Sequence, residues 1–73
     1  MMQIKNIFGM KIMLARKKRG ISQKDLAQKV GETQSNMSSY ERGTRLPRAD
    51  KAYRIAQELG VSVEWLFDES IFM

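Results

Sequence analysis

Ser22-Gln23-Lys24-Asp25-Leu26-Ala27-Gln28-Lys29-Val30-Gly31, running on into Glu32-Thr33-Gln34-Ser35-Asn36-Met37-Ser38-Ser39-Tyr40-Glu41-Arg42-Gly43, is the stretch that decides the fold. Leu26, Ala27 and Val30 recur at helical spacing, and Ser22 stands where a helix N-cap belongs, three residues ahead of Asp25. Gly31 ends that helix. Thr33 is a second N-cap, and Met37 and Tyr40 lie i, i+3 apart on the next helix, which Gly43 closes. The two helices cover residues 22–30 and 34–42. Three residues join them: Gly31, with its freedom to take a positive φ, then Glu32 and Thr33.

Outward from this pair the chain keeps the same habit. On the N-terminal side, Phe8, Ile12 and Ala15 make one apolar stripe over residues 7–19. Arg16, Lys17, Lys18 and Arg19 load its last turn with the charge a helix C-terminus favours, and Gly20 supplies the stop. On the C-terminal side, Ala52, Ile55, Ala56 and Leu59 form the buried face of a helix over 49–59, which follows Pro47 and Arg48 and ends at Gly60. Ser62 caps a short fifth helix over 63–67. Five short helices with no strand predict an all-α bundle occupying residues 7–67. Residues 1–6 are then an N-terminal tail, and residues 68–73 an acidic, apolar C-terminal tail.

Composition restricts what such a domain does. The 73 residues contain no Cys and no His. Disulfides, thiolate nucleophiles and thiolate metal sites are therefore excluded, along with the side chain best suited to proton transfer near neutral pH. A chain this short leaves little room for a water-excluding pocket, so the expectation is no enzyme, no metal, no cofactor and no small-molecule ligand. The longest apolar runs fall far short of the roughly 20 residues of a membrane span and lack the pattern of an export signal, which favours the cytoplasm.

Charge is distributed unevenly. Residues 1–57 carry all thirteen Lys and Arg against four acids, a surplus of nine positive charges, while residues 58–73 carry four acids and no base. A basic body with an acidic end fits a polyanion-binding face with the other end kept away from it.

Helix, Gly-containing three-residue turn and helix at this length form the helix-turn-helix motif, whose second helix lies in a DNA major groove. Ala27 is small where the helices cross, and Leu26, Val30, Met37 and Tyr40 are apolar to fix the crossing. The opposite face of the second helix presents Gln34, Ser35, Ser38, Ser39 and Arg42. Gln contacts adenine N6 and N7 with two hydrogen bonds, Ser is tolerant, and Arg reads guanine or binds phosphate. The three serines keep the surface flat, so the helix axis can come close to the groove floor.

The stretch from Ser22 to Ser35, together with Tyr40-Glu41-Arg42-Gly43, Arg45-Leu46-Pro47 and Ile55-Ala56-Gln57-Glu58-Leu59-Gly60-Val61-Ser62, resembles the Cro/phage-repressor type of helix-turn-helix domain. The resemblance covers about residues 8–67. It implies five helices, and double-stranded DNA bound as a homodimer at an operator by a small transcriptional regulator of the repressor kind. It further implies that Gln34, Ser35, Ser38 and Ser39 read bases. Gln23 would bind phosphate and brace Gln34, while Thr33, Arg45 and Arg48 meet phosphates. Arg16 and Glu41 would form an internal ion pair between the first helix and the recognition helix. Two positions depart from the pattern. Glu32 replaces a small apolar turn residue and is expected either to weaken backbone binding or to be solvated. Ser39 stands where a longer reader is common.

One short recognition helix reads only a few base pairs, so a palindromic operator and a dimer are expected. The candidate dimer interface is the acidic, apolar end: Val63, Trp65, Leu66, Phe67, Ile71 and Phe72. Two other readings compete. The fold could serve as a protein-interaction module, such as an antitoxin or anti-repressor. The basic amphipathic stretch 8–19 could bind a membrane surface, although Phe8, Ile12 and Ala15 are needed for a core this small.

Overall fold

A computed structural model describes residues 3–72, with side-chain surroundings given for residues 3–70. Five α-helices follow one another: α1 (Ile4–Arg19), α2 (Gln23–Lys29), α3 (Gln34–Arg42), α4 (Ala49–Leu59) and α5 (Val63–Leu66). A 3-10 turn, Glu69–Phe72, comes last. No strand occurs among the described residues.

Local chemistry explains most boundaries. The Ser22, Thr33 and Ser62 hydroxyls each accept the backbone N–H three residues on, the N-cap bond that satisfies one orphan donor of a helix start. Gly20, Gly43 and Gly60 close α1, α3 and α4 in the left-handed region. The predicted bounds of α3 and α4 coincide with the observed ones, whereas α2 and α5 are slightly shorter than expected. The first helix starts before residue 7: Ile7 N–H already bonds to the Gln3 carbonyl at 3.1 Å, so Ile4 to Asn6, expected in a tail, are helical. At the other end the Asp68 carboxylate accepts from Ser70 N and Oγ at 3.0 and 2.6 Å, nucleating the final turn inside the expected C-terminal tail.

The core is built around α1. Phe8, Ile12, Leu26, Val30, Met37, Ile55, Leu59 and Leu66 are each almost completely hidden from solvent, with Ala15, Ala27, Ala52 and Ala56 where helices approach closely. Each of these large side chains contributes about 1.5–3 kcal/mol by leaving water. Helices α2 and α3 share the core side of the motif with α4, so the outer face of α3 stays open.

Two features have no local signal in the sequence. Gly9 sits where α1 crosses α3, and a Cβ there would meet the carbonyl oxygens of Tyr40 and, at 2.6 Å, Glu41. The helices therefore touch backbone to backbone. Lys11, a charged residue next to Ile12, is buried beneath α5: its Nζ donates to the Trp65 carbonyl at 2.8 Å and lies 4.0 Å from the centre of the indole ring.

Candidate nucleic-acid interface

The turn between α2 and α3 is held from both sides. Gly31, at φ 71°, lets Gly31 N–H bond to the Gln28 carbonyl at 3.2 Å and Glu32 N–H to the Ala27 carbonyl at 2.8 Å. This is the Schellman arrangement that ends a helix while satisfying its last carbonyls. Lys51 on α4 donates to the Val30 and Gly31 carbonyls at 2.9 and 3.0 Å, and Arg54 reaches the Lys29 carbonyl at 3.3 Å. Cations at the C-terminus of α2 complement its dipole and lock the turn to α4.

Beyond the turn, α3 exposes Gln34 and Ser35 and half-buries Ser38 and Ser39. Arg42 folds back along the same face, its guanidinium donating to Ser38 Oγ at 3.2 Å and Ser39 Oγ at 3.3 Å. Ser39 Oγ in turn donates to the Ser35 carbonyl at 3.2 Å. The structure thus brings Ser35, Ser38, Ser39 and Arg42 into one low polar surface, with Gln34 at its leading edge.

The proposed backbone contacts flank this surface. Thr33 is exposed, and its hydroxyl accepts Asn36 N–H at 3.0 Å. Arg48 is exposed at the start of α4 and makes no capping bond. Arg45 is also exposed, but its Nη1 donates to Asn36 Oδ1 at 2.9 Å. Gln23 is partly exposed at the start of α2, and among the described residues no hydrogen bond joins it to Gln34.

Arg16 and Glu41 meet across the α1–α3 crossing. Arg16 Nε donates to Glu41 Oε2 at 2.7 Å and Nη2 to Oε1 at 3.0 Å, a two-pronged pair, while Nη1 caps the Ile21 carbonyl at 3.0 Å. The Glu41 side chain is 4% exposed and that of Arg16 13%. The hydrogen bond to Glu41 raises the Arg16 pKa further, against the opposing effect of burial.

Glu32 is not the solvated acid that one of its two expectations describes, since its carboxylate is largely covered and hydrogen-bonded within the turn and α3. Its Oε1 accepts Thr33 N–H and Asn36 Nδ2, each at 2.9 Å, its Oε2 accepts the Tyr40 hydroxyl at 3.0 Å, and Lys51 Nζ stands 4.0 Å away. Hydrogen bonds from Asn36 foremost, then from Thr33 and Tyr40, outweigh burial and lower its pKa. Burial, followed by the Glu32 carboxylate, raises that of Tyr40. The i, i+4 spacing of Glu32 and Asn36 is a signal present in the sequence; the approach of Lys51 from α4 has none.

The expected dimer surface is narrower in the structure. Leu66 is fully buried in the domain's own core, because the single turn of α5 points it at α1 and α4, and it is withdrawn from that surface. Phe67 stacks on Phe8 with ring centres 4.9 Å apart. Val63 and Trp65 remain half-exposed, and the side chains of Ile71 and Phe72 lie outside the described residues.

No helix of the described residues is long and apolar enough to cross a membrane. No group of three acidic, His or Cys side chains that could hold a metal occurs among them.

The arrangement of α2, turn and α3 against α1 and α4 defines a helix-turn-helix domain. The helix-turn-helix family model matches residues 12–66, and the chain belongs to that family of DNA-binding transcriptional regulators. It is 34% identical over 61 residues to an uncharacterized HTH-type transcriptional regulator, y4dJ, of Sinorhizobium fredii, spanning 84% of this chain and 79% of that protein. Among solved structures, SinR, the master regulator for biofilm formation, in complex with DNA, matches at 35% identity and a TM-score of 0.78 over 84% of this chain and 98% of that one. The restriction-modification controller protein C.AhdI of Aeromonas hydrophila matches at 28% identity and 0.80 over 86% and 96%.

Proposed function

We propose that the protein is a repressor acting in the cytoplasm, which lays α3 in the major groove of each half of a palindromic operator as a homodimer. Gln34, Ser35, Ser38 and Ser39 face the bases. Gln23, Thr33, Arg42, Arg45 and Arg48 face the phosphates on either side. The observation that carries this reading is the open face of α3. Its core side is sealed by Met37 and Tyr40, while the outer side, from Gln34 to Arg42, is polar, low and uncovered by any other element of the described chain. The position of the positive charge supports it, since the acidic residues after Leu59 have no basic neighbours in sequence. The structure of SinR with DNA, a relative of the same fold, supports it as well.

Selection of bound duplexes from random DNA tests the proposal. Two inverted half-sites with centres roughly 34–36 Å apart are expected. Gln34→Ala should relax preference at one base pair of each half and weaken binding there by about 1–3 kcal/mol. A selected site without inverted halves, or a preference untouched by Gln34→Ala, would refute the reading.

A further inference from the structure

Glu32 is the one prominent group of the motif that the DNA-facing assignment leaves without a task. Its surroundings supply one. The side-chain amide of Asn36 has a donating end and an accepting end, and a carboxylate only accepts. With Glu32 Oε1 at 2.9 Å, the Asn36 Nδ2 end must turn toward the carboxylate, which leaves Oδ1 facing outward. There it accepts from Arg45 Nη1 at 2.9 Å. Glu32 itself has little freedom, since Thr33 N–H and the Tyr40 hydroxyl bind it from two further directions. The chain of contacts thus runs from a fixed carboxylate in the turn, through an amide of fixed polarity on α3, to a guanidinium on the irregular segment between α3 and α4.

We propose that Glu32 is a positioning residue for DNA binding: through Asn36 it holds the Arg45 guanidinium beside the recognition helix, where Arg45 meets a backbone phosphate. The inference rests on the phosphate contact proposed for Arg45 above. Its physical basis is preorganisation. A long exposed side chain loses rotamer freedom when it grips a phosphate, and a side chain already held loses less. Arg48 provides the contrast, being exposed with no hydrogen bond from its side chain among the described residues. A carboxylate beside the DNA backbone is ordinarily repulsive. Here three hydrogen bonds occupy its oxygens, and its effect on binding is favourable because it acts through Asn36.

The test uses the whole chain and a duplex selected from random DNA, with affinity measured across a range of salt concentrations. Glu32→Ala and Asn36→Ala should each weaken binding roughly three- to tenfold, the range for one lost hydrogen bond. Each should leave the salt slope near that of the parent, because Arg45 still reaches the phosphate at a greater entropic cost, whereas Arg45→Ala lowers the slope by about one unit. Neither should weaken an Arg45→Ala protein further, while both should add fully to Arg48→Ala. Glu32→Gln keeps an oxygen to accept from Asn36 and Thr33, and should bind as the parent does. Tighter binding by both Glu32→Ala and Glu32→Gln would overturn the proposal, since it would show Glu32 acting as a like charge beside the phosphates. Losses that multiply with Arg45→Ala would overturn it too. Unchanged affinity and salt slope in Arg45→Ala itself would instead refute the phosphate contact, and the positioning role with it. Thermal unfolding checks that each variant is folded. Should Glu32→Ala fail to fold, Asn36→Ala leaves the Thr33 and Tyr40 bonds to Glu32 intact and carries the test alone.

Discussion

The two flanks of α1 each cover a cation, Arg16 partly and Lys11 fully, and they do so by different means. Toward α3, Arg16 meets the carboxylate of Glu41 through two hydrogen bonds, beside a crossing so close that only Gly9 fits. Toward α5, Lys11 is covered by Trp65, with a backbone carbonyl and an aromatic face as partners, next to the stacked rings of Phe8 and Phe67. A two-pronged ion pair on one side, and a carbonyl, an indole face and the nearby charge of Asp68 on the other, imply different sensitivities. Removing Glu41 leaves a guanidinium short of its counter-charge, whereas removing the Lys11 ammonium leaves no charge buried beneath Trp65. The α3 flank therefore depends on an ion pair and the α5 flank on packing.

The largest effect expected from breaking this comparison is at the ion pair. Glu41→Ala should destabilise the domain by about 3–5 kcal/mol, because Arg16 is left in a largely covered site without compensation. Domains of this size have little more stability than that in total. Arg16→Met combined with Glu41→Leu should recover part of the loss. Denaturant unfolding of the single and double variants measures it, and single losses under about 1 kcal/mol would show the pair behaving as a solvent-exposed one.

Next comes the crossing itself. Gly9→Ala places a methyl group against the carbonyls of Tyr40 and Glu41, and backbone cannot move aside as a flexible side chain can. A loss of about 2–3 kcal/mol is expected. Because the displaced helix also carries Arg16, the losses of Gly9→Ala and Glu41→Ala should fall short of adding when combined. Full additivity by thermal or chemical unfolding would mean that the pair tolerates a shifted α1, and that the close crossing and the ion pair hold the α3 flank independently.

The ease of reading these flanks from sequence differs for the same physical reason. Both ends of α3 and the C-terminal end of α4 are set by residues a few positions apart, Thr33 with Asn36 and the glycines at 43 and 60, so they are legible. The start of α4, where Arg48 makes no side-chain cap, is marked by Pro47 ahead of it. The start of α1 is not, since Gln3 makes no side-chain cap and nothing local marks it. Four residues of α5 are too few for periodicity to show that Leu66 turns inward. Within the candidate interface, the polar face of α3 follows from helical spacing around Met37 and Tyr40. The part played by Glu32 does not, because Tyr40 and Lys51 reach it only after the turn and α4 have been placed. Lys11 is hidden likewise: its partner Trp65 lies 54 residues away.

The smallest effect is expected at Lys11, and its pH dependence is the sharper readout. Lys11→Met fills the same space without a charge, and the Trp65 carbonyl retains the Asp68 N–H as a donor at 3.3 Å. Replacing a buried charge by an apolar group of similar shape is often neutral or stabilising, so a change within about 1 kcal/mol is expected. Burial lowers the Lys11 pKa, against the opposing charge of Asp68. The folded protein thus releases this proton more readily than the unfolded chain, whose lysine titrates near 10.5. Between the lowered value and 10.5 the unfolded state binds more protons, so stability contributed at this site rises with pH. Tyr40, with its pKa raised, acts in the opposite direction above 10, but it is present in both proteins and cancels in the comparison. The parent should therefore gain stability relative to Lys11→Met as pH is raised toward 10.5. A difference that stays flat over that range would show the ammonium as well stabilised under Trp65 as in water, and the two flanks of α1 would then hold their cations equally well.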